Sequence, residues 1–205
     1  TPALADEAPR RTTPPPAAAA QGTGTHATTT VDVTLCYYAN DLVASQTQGT
    51  NTATFTLDPT QNRFINTADT TTGLTTTSHY AGSSDSPAWS STSATNWTWN
   101  IIGIDGALAG TLDQAGTLTW NLNNLHGDLT GTTDNTGLPT AASYESTEYG
   151  APRDATATPD TYGWLGAKQR PTNNLGGLTL MAVRLYTPPP RRFPPCAPPP
   201  PRTAT

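Results

Sequence analysis

At 205 residues the chain fits one domain or a piece of a larger one, and its hydrophobic (34%) and charged (12%) shares fall below the roughly 45–50% and 25% of ordinary globular domains. Thr, Ser, Asn, Gly and Pro fill the gap; Thr suits a pleated sheet, while 17 Gly and 20 Pro break helices and make turns, so a thin β core is expected and a helical one excluded. The net charge is −5, and between Thr12 and Pro152 the only basic residue is Arg63, against eleven acids from Asp32 to Glu148, a surface sign that repels phosphates and argues against nucleic-acid binding.

Residues 1–29 mix Pro, Ala, Gly and Thr with no apolar period and read as a disordered lead-in. The run "AAAA" at 17–20 is shorter than a signal-peptide core, and no apolar run approaches the ~20 residues of a membrane helix. No membrane span is expected, and any export signal would lie outside this sequence. Cys36 and Cys196 are far apart, the second inside a proline-rich stretch, so two free thiols are expected.

Short strands follow. In "TATFTLDPT" Ala53, Phe55 and Leu57 share one face until Asp58-Pro59 turns the chain. In "NWTWNIIGIDG" Trp97, Trp99 and Ile101 do the same, and in "TLTWNL" Leu118, Trp120 and Leu122 follow the turn "DQAG". Turn signals recur at Asp105-Gly106, Gly116, Gly127, Gly137 and Gly150, the spacing of a meander built one hairpin at a time. The last segment, "LTLMAVRLY" from Leu178 to Tyr186, is apolar on both faces and predicts a single strand covered on both sides, with Arg184 in need of a partner if buried. From Pro188 prolines dominate, and a strand cannot continue without amide donors.

Three segments together resemble the RHS or YD-repeat proteins of the actinobacterial kind. In "TLCYYANDLVASQ" Tyr37 and Leu42 match a degenerate Tyr-x-Tyr-Asp repeat; "NLHGD" at 124–128, with His126 and Gly127, is similar to the turn before the family's associated core. The third segment, "YGWLGAKQRPTNNLGGLTLMAVRLYTP", is the most specific, matching the core pattern at Trp164, Gly166, Gly177, Leu178, Arg184, Tyr186 and Pro188. Beyond Pro188 the match decays: Arg192-Phe193 survive, but "PPCAPPPPRTAT" stands where the family continues into an apolar strand ending in Asp-Pro. A Pro- and Arg-rich string is what a GC-rich gene yields in a shifted frame, and the tail reads as non-native.

The resemblance implies an all-β fold: a curved antiparallel sheet of successive hairpins, a segment of a β shell, with disordered termini. It divides the chain into a lead-in (1–29), the repeat and core-associated β region (30–187) and a Pro-rich tail (188–205). In the family such shells enclose a C-terminal toxin, released by cutting at the Asp-Pro segment missing here, and the proteins are exported to act between competing cells. The implied partners are therefore the remaining repeats of a shell and a toxin cargo, and the implied location is secreted or cell-surface.

No chemistry competes well with that reading. Asp105, Asp113, Asp128 and Asp134 are acid/base candidates, but each sits in or beside a turn that Asp stabilises locally. His26, His79 and His126 lack metal-ligand spacing, and neither a phosphate-binding glycine loop nor a G-x-S-x-G elbow occurs. No enzyme, cofactor or metal is expected. The rival class is a carbohydrate-binding or adhesion module with Trp89, Trp97, Trp99 and Trp120 as an aromatic platform, against which stands the expectation that Trp97, Trp99 and Trp120 face inward as core. A third reading is a non-functional remnant of a broken gene copy.

Overall fold

The computed structural model describes residues 24–26 (backbone only), 33–58, 60–61, 63–140, 143–154, 156–157, 161–188, 191 and 193–194. Among the described residues eleven strands of one sheet pair strictly in chain order. They are β1 (Gly24–His26), β2 (Val33–Tyr37), β3 (Val43–Gln48), β4 (Asn51–Asp58), β5 (Arg63–Asp69) and β6 (Leu74–His79), followed by β7 (Trp89–Ser93), β8 (Asn96–Ile102), β9 (Leu108–Asp113), β10 (Leu118–Asn123) and β11 (Leu129–Thr133). Every pair is antiparallel. Two-sided Thr-rich strands joined by tight turns have no route to parallel pairing, which needs long crossovers.

The turns are as the sequence marks them: Gly106, Gly116, Gly127, Gly137 and Gly150 all take positive φ, the conformation that side-chain-bearing residues resist. Asp105, Asp113 and Asp134 accept the backbone N–H of Ala107 (3.0 Å), Thr117 (2.8 Å) and Thr136 (2.8 Å), the local bonding that fixes such bends. Register shifts at Cys36/Tyr37, Thr56/Leu57, Ser91/Ser93, Ile101/Ile102 and Leu122/Asn123 curve the sheet, since each bulge bends its strand and adds local twist.

Residues 161–188 cross back over one face. They contain two 3₁₀ turns, Gly166–Lys168 and Leu175–Gly177, and a hairpin of β12 (Thr179–Met181) and β13 (Arg184–Tyr186). The core lies between this segment and the first half of the sheet: Val33, Leu35, Tyr37, Val43, Ala53, Phe55 and Phe64 meet Leu178 and Leu185, with Leu57, Leu175, Leu180 and Val183 at its margin. The rings of Phe55 and Phe64 meet tilted by 35° with centroids 4.9 Å apart, and the N–H of Val43 donates to the Val183 carbonyl at 3.1 Å.

Several expectations are corrected. Leu178 to Tyr186 is a hairpin rather than one strand, because Ala182 turns the chain at φ 55 without the Gly, Asn or Asp that usually announces such a turn; Arg184 ends up exposed and needs no buried partner. Trp97, Trp99 and Trp120 do not face the core: they lie on the sheet's other side, Trp99 being 48% exposed. At the N-terminal side, β1 lies within the stretch whose composition reads as lead-in, its backbone paired to β2.

The described part of the Pro-rich tail is packed. Pro188 is buried, Phe193 meets Tyr186 edge-on at 5.5 Å, Arg191 lies 3.7 Å over the Tyr149 ring, and the Tyr37 hydroxyl donates to the Pro194 carbonyl at 3.0 Å. Proline removes a donor but leaves carbonyls and apolar surface to bind with. The rest of the tail, including Cys196, lies outside the described residues; Cys36 is free.

Candidate functional site

Direct cross-strand partners share a face, so the register divides the sheet into two surfaces. On the covered face Asn100 donates its amide to Gln169 Oε1 (3.0 Å) and to the Pro87 carbonyl (2.8 Å), Arg170 pairs with Asp85 at 2.8 Å, and Gln48 Oε1 accepts the Gly176 N–H at 3.1 Å. A cavity of about 400 Å³ remains between sheet and segment, lined by Gln46, Thr67, Ser78, Tyr80, Tyr162 and Arg170 among others. Burial pushes the Tyr162 hydroxyl up to about 12, with the Asn100 amide pulling the other way.

One cluster fixes the segment. The turn 124–128 is closed by Asn124 Oδ1, which accepts the N–H groups of His126 and Asp128 at 2.9 Å each. The Asp128 carboxylate, buried, then accepts from His126 Nδ1 (2.9 Å), Asn124 Nδ2 (3.1 Å) and the Leu165 N–H (3.0 Å). Backbone bonds continue the contact: the Ala167 N–H donates to the Gly127 carbonyl (2.9 Å) and the Leu129 N–H to the Gly163 carbonyl (2.9 Å). Trp164 stacks between His126 (6.4 Å) and Tyr186 (5.2 Å), while the Tyr186 hydroxyl donates to the Tyr149 carbonyl at 3.3 Å.

Two glycines make room. A Cβ on Gly150 would stand 2.6 Å from the Trp164 ring, and one on Gly166 would press Leu129 and Tyr162 at 3.3 Å. The structure thus brings His126 and Tyr186 to the Trp164 ring, with Gly127 against Ala167 and Gly166 against Leu129 and Tyr162. Tyr37 and Leu178 sit instead in the first-half core, Leu42 in the β2–β3 turn, where its carbonyl accepts the Tyr38 N–H, and Gly177 at φ 67 in the second 3₁₀ turn.

A second cluster forms around Arg63, whose partners the sequence does not show. Arg63 pairs with Asp58 at 3.4 Å, lies 4.0 Å from the centre of the Tyr80 ring, and donates to the carbonyls of Gly82 and Ser84. Its isolation among acids marks it; its partners follow from the bulge between Thr56 and Leu57, which no local pattern announces. Among the described residues no group of three His, Cys, Asp or Glu is placed to hold a metal, and no helix is long and apolar enough to cross a membrane.

The open face carries the other candidate residues. His79, Trp89 and Trp99 stand in register on β6, β7 and β8, stacked with ring centroids 3.5 and 5.9 Å apart and planes within 5° and 12°. Trp97 lies on the same face of β8, and Trp120 on β10 covers Gly110, where a Cβ would stand 3.2 Å from its ring.

Fold and site define an all-β meander with a C-terminal segment anchored across one face. No protein-family model matches the chain, and no curated protein does. Among solved structures it is similar to the crystal structure of TcdB2-TccC3-Cdc42 (16% identity, TM-score 0.42, 80% of this chain and 8% of that one) and that of TcdB2-TccC3 (15%, 0.41, 80% and 8%). The Photorhabdus luminescens Tc holotoxin pore is a further likeness (16%, 0.39, 77% and 7%). The chain spans less than a tenth of the length of each.

Proposed function

We propose that this chain is non-enzymatic wall material of an RHS-type shell, a stretch of sheet with core-type sequence anchored across its covered face. One observation carries the reading. Residues that the sequence resemblance marks far apart in the chain, His126, Trp164 and Tyr186, meet at the Trp164 ring. Their role there is mechanical: they fix where the returning segment lies, and with it the side of the sheet that is closed. Further repeats would extend the sheet beyond β1, the first strand of the pairing order among the described residues. The partners of such a wall are the rest of the shell and a C-terminal toxin domain, and its place is outside the cell or on its surface.

Protection tests this. In a longer polypeptide that carries this segment before a C-terminal domain, that domain should resist added protease. Gly150→Val, which drives a side chain into Trp164, should expose it. Digestion of the domain at one rate in both forms would overturn the reading. On the chain itself, intact mass should stay constant over days of incubation; a discrete product ending near Tyr186 would contradict the non-enzymatic part.

A further inference from the structure

The open face of the sheet has one compositional property along its whole register. Its residues run Thr34, Ser45 and Thr54 on the early strands, through Thr77 and Ser91, to Ile101 and Trp120, and none of its described side chains is charged except at the Asp58–Arg63 pair, which neutralises itself at the ends of β4 and β5. A chain of net charge −5 therefore places its acids elsewhere.

On this face the register draws an unbroken row over five strands: His79, Trp89, Trp99, Leu112 and Leu118, each directly across from the next. Ile101 and Trp120 flank it on one side and Trp97 on the other. None of the row is buried. Five strands at ~4.8 Å and three same-face positions at ~7 Å make a patch of roughly 400 Å², about half of it contributed by these aromatic and aliphatic side chains and the rest by neighbours such as Thr77, Ser91 and Gly110. That is about half of the ~800 Å² per partner of a standard interface, and the uncharged Ser/Thr positions of the neighbouring strands supply the remainder.

We propose that this face is the interface between two copies of the chain, packed sheet on sheet. Two observations select that occupant. Like-charged copies meet without repulsion only through an uncharged surface, and this one is uncharged; a strongly acidic or basic partner would find nothing complementary here. The stacking also disfavours a sugar: Trp89 has His79 on one face and Trp99 on the other, so upright ring edges rather than flat faces meet the ligand. Edges and aliphatic tips interdigitate well with an identical row at the ~10 Å spacing of packed sheets, and a two-fold axis makes the patch its own complement. This goes beyond the wall reading and does not rest on it.

Sedimentation equilibrium of the full chain tests the proposal. The parent should dimerise with an affinity that changes little with salt, since no charge is neutralised. Trp99→Lys puts a charge at the centre of the row and should weaken association about 100-fold or more. Leu74→Lys alters a residue of equal exposure (48%) on the covered face and should leave it within about twofold. Should Trp99→Lys fail to fold by circular dichroism, Leu122→Lys, on the open face and 51% exposed, takes its place with the same expectation. A parent that stays monomeric to about 100 μM would overturn the proposal, as would a dimer indifferent to the open-face variant, which would be pairing through strand edges. A monomer whose tryptophan fluorescence shifts with chitohexaose would give the face to a sugar and overturn it as well.

Discussion

The two halves of the sheet use opposite faces. In β2–β5 the apolar residues Leu35, Ala53, Phe55 and Phe64 point under the returning segment and Thr34, Ser45, Thr54 and Asn66 point away. In β7–β10 the arrangement inverts: Trp89, Trp99, Leu112 and Leu118 take the open side, while Thr98, Asn100, Thr111 and Thr119 face the segment. One sheet therefore meets the segment through an apolar core at one end and, at the other, through the hydrogen bonds of Asn100 beside the buried Leu108 and Leu129. Alternation decides which residues travel together; which face is covered depends on where a distant part of the chain lies down.

The largest expected effect breaks the comparison directly. Phe55→Ala, in the half whose apolar face is closed (1% exposed), should cost about 3–5 kcal/mol. Trp99→Ala, a larger truncation on the open face, should cost about 1 kcal/mol, mostly the stack with Trp89. Denaturant melts at a concentration where the chain is monomeric measure both. Equal losses would mean that something covers the Trp row within the single chain.

Next in size is the anchor between the halves. Gly150→Ala forces an alanine to φ 84 and brings its methyl to 2.6 Å from Trp164, so a loss of about 2–4 kcal/mol is expected from left-handed strain and overpacking together. Amide exchange should quicken first across 161–188 and only later in β2–β5. Quickening in the reverse order would show that the first-half core, not the Trp164 cluster, positions the segment.

Much of this was legible in the sequence and some was not, for definable reasons. The meander and its turns were readable because each is decided within four residues: Asp105 bonds two positions on, and Gly106 supplies positive φ. The face shared by Ala53 and Phe55, and that shared by Trp97 and Trp99, follow from the period of two. The assignment of the second pair to the core failed because nothing near Trp97 records that the face of Asn100, which meets Gln169, is the one the segment covers. The hairpin at Ala182 escaped because its left-handed turn carries none of the residues that announce one. Of the candidate site, resemblance marked His126, Trp164 and Tyr186, yet not that Gly150 makes space for the ring they share.

The smallest expected effect concerns the polar contact where the two halves meet under the segment. Tyr162 lines the cavity there, and burial raises its hydroxyl to about 12, while an unfolded chain loses that proton near 10. The fold thus favours the neutral phenol. Its contribution to stability is complete below about pH 10 and is lost as pH rises through about 12, because the unfolded state binds fewer protons over that window. Tyr162→Phe keeps the ring and removes the titrating group. Tyr38, Tyr80 and Tyr186 are also shifted upward, so the informative quantity is the difference between parent and variant. Thermal midpoints recorded from pH 9 to 12 should fall more steeply in the parent. Parallel curves would place the Tyr162 hydroxyl in contact with solvent, and the covered face of the second half would then be open to water rather than closed by the segment above it.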